Sequence, residues 1–161
     1  MNSLEILKAL EKKKKKKKLT FLEKLLAVTT GSVTQILEAY LGEPVRIRTL
    51  KQEVKPAGPT AEKLGINKTD LVNFREVEIT DRLGKVLVMA ESQTPLNRLE
   101  PGFKDDLMKA DMPIGKLLLK HKIESRRELL GARIVDGKIE RSYIIIKNEK
   151  ILMHIEERIE V

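Results

Sequence analysis

Residues 124–161 constrain the fold more than any other stretch of the chain. Three runs of strand composition, "ESRRELLGARIV", "IERSYIII" and "KILMHIEERIEV", are separated by the Asp136-Gly137 turn and by a turn at Asn148. Connections this short join antiparallel neighbours, so the stretch predicts three consecutive strands of one antiparallel sheet. Alternation along the last strand groups Ile151, Met153, Ile155, Glu157 and Ile159 on one face and Leu152, His154, Glu156 and Arg158 on the other. The first set is apolar except at Glu157, which makes that residue an inward carboxylate. A slip of one residue in register would put Glu156 there instead.

The chain reaches this sheet from a helical start. Leu4, Leu7 and Leu10 recur at helical spacing behind a candidate cap at Ser3. Thr20 with Glu23, and Ser32 with Gln35, form two capping-box patterns, and the second opens a helix through "VTQILEAYL" that ends at Gly42. The period then changes from about 3.6 to 2. "VRIRTLKQEV" reads as a strand, a proline-bearing loop with one helical turn ends at Gly65, and "LVNFREVEIT" and "VLVMAESQTP" flank the turn "TDRLGK" as a hairpin. "DDLMKA" and "PIGKLLLKHK" return to helix, the latter beginning at Pro113, where a missing backbone donor costs nothing. These elements predict an α+β fold, one antiparallel sheet with helices on one face and at its ends. Composition divides the chain into an N-terminal helix with a lysine-rich segment (1–18) and a domain over 19–161.

The formal net charge of +8 is concentrated in one place. Lys12 to Lys18 form an unbroken run of seven, and without it 25 of the 32 basic residues face 24 acidic ones. An almost neutral body with two tyrosines, three phenylalanines and no tryptophan offers little to nucleic acid, so no specific nucleic-acid partner is expected. The run itself reads as a solvated helix extension or arm. The absence of cysteine excludes disulfides and thiolate chemistry, and two histidines without ligand spacing argue against a structural metal. No stretch reaches the roughly 20 apolar residues of a membrane span, and nothing resembles a signal peptide. A cytoplasmic location with no membrane partner is the expectation. Hydrolase triads, phosphate-binding loops and the dinucleotide fingerprint are absent from the sequence.

Alternation in "LVNFREVEIT" places Arg75 with Val77 and Ile79 and turns Phe74, Glu76 and Glu78 the other way. Burying an unpaired guanidinium costs several kcal/mol, so Arg75 needs an anion to face. Two readings stand side by side: a buried Arg75–Glu157 salt bridge, or two groups converging on a small-molecule site. Glu91 has an ambiguous orientation. His154 points away from that face, towards the surface or an edge, and Tyr143 packs with its hydroxyl at the surface.

The order "GSVTQILEAYLGEPVRIRTL", "NFREVEI", "AESQTPLNRL", "DMPIGKLL", "ESRREL", "ERSYIII", "KILMHIEERI" resembles the chorismate pyruvate-lyase family, in its archaeal and actinobacterial branch, over roughly residues 20–160. The resemblance implies a ligand enclosed beneath helical flaps and a reaction that removes pyruvate from chorismate, leaving 4-hydroxybenzoate, without metal or cofactor. It carries the family's carboxylate-binding arginine onto Arg75, its essential glutamate onto Glu157, and its backbone amide contact onto Ile114, with Gly115 beside it. Val33 stands where family lyases place a flap methionine, and Arg126, at a place where the family also carries arginine, is either a candidate for further charge balance or a solvent-exposed strand arginine. Related folds also serve as effector-sensing domains of transcription regulators, so a non-catalytic small-carboxylate site is the alternative the same resemblance implies.

Overall fold

The computed structural model describes residues 2–14 and 17–161; Lys15 and Lys16, inside the lysine run, lie outside them. Helices α1 (Ser3–Lys13), α2 (Phe21–Val28) and α3 (Val33–Leu41) come first. Strand β1 (Arg46–Pro56), the short helix α4 (Ala61–Leu64) and the hairpin β2 (Leu71–Thr80) and β3 (Val86–Pro95) follow. Helices α5 (Pro101–Met108) and α6 (Ile114–Lys120) then lead into β4 (Arg126–Val135), β5 (Lys138–Lys147) and β6 (Lys150–Ile159). The expected α+β architecture is found. All six strands form one antiparallel sheet in the order β1-β2-β3-β6-β5-β4.

Local chemistry sets most boundaries where the sequence places them. Thr20 and Glu23 close a reciprocal capping box at α2, and Gly42 ends α3 in the left-handed conformation. Ser32 accepts from the Gln35 amide, without the return bond of a full box. At α1 the cap is Asn2 rather than Ser3, because Asn2 and Glu5 satisfy each other's backbone donors and Ser3 is already helical.

Two apolar clusters cover the same face of the sheet. The first joins Ile6 and Leu10 of α1, Leu22 and Leu26 of α2 and Leu37 of α3 to Ile79, Val88, Ile139 and Ile159. Packing is thus continuous across residue 18, and α1 belongs to the main core. The second joins Phe103 and Leu107 of α5 and Leu117 and Leu118 of α6 to Tyr143, Ile145, Met153 and Ile155. The site forms where these clusters meet. Among the described residues no helix is long and apolar enough to cross a membrane.

Candidate functional site

A small cavity, about 50 Å³ in volume, lies at the seam between the two helical layers. Its floor is Val77 and Ile79 of β2, Ala90 of β3 and Ile155 of β6; Val33 of α3 and Ile114 of α6 form its roof. Strand pairing explains the floor: Arg75 lies opposite Ser92, Val77 opposite Ala90, and Ala90 opposite Glu157, so these side chains share one face.

Arg75 is 3% exposed. Its Nη2 donates to the Met112 carbonyl at 3.0 Å, while its Nε is buried without a partner. Burial pulls its pKa below the ordinary range and the field of Asp111 partly restores it, although a guanidinium stays protonated in proteins. No described carboxylate forms a salt bridge with it.

Glu157 is engaged elsewhere. Arg141 Nε donates to Glu157 Oε2 at 2.8 Å and Tyr143 Oη donates to Oε1 at 2.9 Å. Arg141 also donates from Nη1 to the Thr29 carbonyl at 2.8 Å, and its guanidinium carbon lies 4.8 Å from the Tyr143 ring centre. Burial, followed by the Glu157 charge, pushes the Tyr143 phenol well above its usual range, so it keeps its proton and donates. The two inward arginines play matching parts. Arg141 ties the α2–α3 connection to the sheet and Arg75 ties the α5–α6 connection.

The structure gathers Arg75, Glu157, Val33, Ile114 and Gly115 around this cavity. A β-carbon at Gly115 would sit 2.8 Å from Ser32 Oγ, so any larger residue there must displace that hydroxyl as α6 approaches the start of α3. Lys116 and Glu38 bridge the same two helices at 2.7 Å.

Arg126 is placed elsewhere. Its side chain is half exposed and pairs with Glu149 and Glu128, whereas the next residue, Arg127, lines the cavity. The reason is register: Arg127 lies opposite inward Ile145, so one step along the strand reverses the face. Glu156 is exposed on the far side and Glu91 joins it there, its pKa raised by burial and by neighbouring Glu76 and Glu156. His154 does turn away from the cavity, but it is buried rather than superficial, and the Tyr143 hydroxyl is internal. Arg127, Arg141, Tyr143 and Ser32 were missed as site residues. Alternation in "IERSYIII" carried a usable signal, since Arg141 and Tyr143 share a face with Ile139 and Ile145, the same pattern that singles out Arg75.

The family model described as "Chorismate pyruvate-lyase Rv2949c-like" matches residues 27–160. The chain belongs to that family. It is 34% identical over 155 residues to the Methanocaldococcus jannaschii protein named "Putative lyase MJ0807", covering 84% of this chain and 76% of the relative. Among solved structures, it is similar to the effector domain of PhnF from Mycobacterium smegmatis (TM-score 0.63, 12% identity, 83% of this chain and 90% of that one). Against the longer PhnF structure the TM-score is 0.62 at 12% identity, and the match spans 82% of this chain and 64% of that one. At such identity these structures speak for the fold alone.

Proposed function

We propose that this chain eliminates pyruvate from chorismate to give 4-hydroxybenzoate, using the cavity beneath α3 and α6. The observation that carries the reading is Arg75, a buried guanidinium in an apolar cavity with no described carboxylate to pair with. A ring carboxylate supplies the missing anion and can meet the planar guanidinium through two charge-assisted hydrogen bonds. Membership of the lyase family supports the same class of ligand.

Breaking the ring C3–O bond and losing the C4 hydrogen aromatises the ring. That hydrogen, delivered to the methylene of the departing enolpyruvyl group, completes pyruvate, and atoms and charge balance without any further reactant. Glu157, with both oxygens already accepting hydrogen bonds, serves as an acceptor for the ring hydroxyl and orients C4 towards the leaving group. Val33 and Ile114 keep water from the reacting bonds. The same engagement of Glu157 favours a second reading, a site that binds a carboxylate ligand without turnover, because a carboxylate already held at both oxygens is less free to take a further hydrogen bond from the ring hydroxyl.

Incubating the protein with chorismate while following 4-hydroxybenzoate and pyruvate separates the two readings. Equal amounts of both products, lost in folded Arg75→Ala and strongly reduced in Glu157→Gln, are the expected result. No turnover with 4-hydroxybenzoate binding that depends on Arg75 selects the second reading. Absence of both would reduce Arg75 to a structural residue.

A further inference from the structure

The charges around the cavity do not balance with one anion. Glu157, its single described lining carboxylate, is already matched by Arg141, whose side chain is fully buried against it. Arg75 and Arg127 remain, and neither has a described carboxylate partner. Arg127 is half-buried, lines the cavity together with Tyr143, and its Nη2 is 3.9 Å from the β-carbon position of Gly115. The Ser32 hydroxyl is 2.8 Å from that same position. A cation and a hydroxyl therefore converge where the two roof helices meet, while Arg75 belongs to the β2 floor and the Met112 connection.

We infer that Arg127, assisted by Ser32, is a second anion anchor, which makes the cavity selective for ligands carrying two separated carboxylates. This rests on the reading of the cavity as a carboxylate site and assigns its second subsite. For chorismate the group held there is the carboxylate of the side chain that leaves. Arg75 then grips a feature common to substrate and aromatic product, and Arg127 grips one that the product has lost. Arg127 is thus the residue that distinguishes the dianion entering the site from the monoanion remaining after elimination, and it favours exchange of product for substrate. The assignment moves the second cation from Arg126, which surface glutamates already occupy, to its neighbour.

An unreactive pair of probes tests this independently of turnover: benzoate, and 3-(carboxymethoxy)benzoate, which adds a second carboxylate through an ether at the meta position. Calorimetric titration of wild type should show the dianion binding about tenfold tighter or more. In Arg127→Gln that margin should collapse while benzoate affinity stays within about twofold of wild type. Arg126→Gln should keep the margin, and Arg75→Gln should weaken both probes. No margin in wild type, a margin that survives Arg127→Gln, or an equal loss for both probes in Arg127→Gln would each overturn the assignment. Chorismate turnover by wild type is read separately, so a failed subsite leaves the lyase reading standing. A margin without turnover would keep the subsite and remove the lyase.

Discussion

Arg75 and Arg141 are both buried inward arginines, yet their surroundings predict opposite responses to the same substitution. Arg141→Met leaves Glu157 buried without its cation, and breaking a buried pair in this way costs about 3–5 kcal/mol. Arg75→Met removes a cation that no described carboxylate pairs with directly, only the field of Asp111 offsetting its burial, and gives up one hydrogen bond to a backbone carbonyl. It should be as stable as wild type or more so while losing carboxylate binding, the pattern of a residue retained for function at the expense of stability. Urea unfolding of both variants checks this; a loss of more than about 1 kcal/mol in Arg75→Met would make it a structural residue. Alternation alone revealed the inward position of Arg75 and Glu157, because one charged residue in an apolar row is conspicuous. Alternation could not reveal that they do not pair. Three-dimensional neighbours decide that, and Arg141 enters from a strand 66 residues beyond Arg75 in the chain.

Elements were legible where local chemistry decides them. The capping box at Thr20, the left-handed glycines 42 and 65 and the Asp136-Gly137 turn each act over a few residues. Less legible was β4, where two adjacent arginines make both faces look alike and a register irregularity between Leu129 and Gly131 breaks the alternation. The roof contact between α3 and α6 left no pattern in the sequence at all. It yields a prediction through Gly115, where alanine would push its β-carbon against Ser32 and pull that hydroxyl off the Gln35 amide. Loss of the cap costs about 0.5–2 kcal/mol. Ser32→Ala should cost a similar amount, and the double variant should lose clearly less than the two single losses added together, since both act through one hydroxyl. Strict additivity in thermal or urea unfolding would mean that the helices do not meet as described.

At the scale of the molecule, acid should lower the stability of the protein over two separable pH ranges. Burial, and secondarily Lys63, holds the His154 pKa below its ordinary 6.5, so the unfolded chain takes up the proton first and stability falls as pH drops below that value. Asp106 acts in the same direction at lower pH: hydrogen bonds from Lys120, Lys109 and His121 hold it far below its usual 3.8, so its contribution is complete above that pH and is lost as pH falls further. Stability measured against pH should lose the first step in His154→Gln, and the second should shrink but persist in Asp106→Asn, since Glu23, Glu38, Glu100 and Glu149 are also held below their ordinary range by lysine or arginine partners; a His154→Gln profile parallel to wild type just below pH 6.5 would contradict the burial argument. The six-stranded sheet holds both helical layers, yet the layers leave a gap at their seam, with the roof contacts Ser32–Gly115 and Glu38–Lys116 spanning it. An occupant touching both sides is therefore a keystone: whatever energy it contributes to the closed arrangement sets how far the arch can spread. A catalyst must shed its keystone every cycle, and a sensor must hold it long enough for the spread to be felt. The same arch serves either purpose, and the dwell time of the stone decides between them.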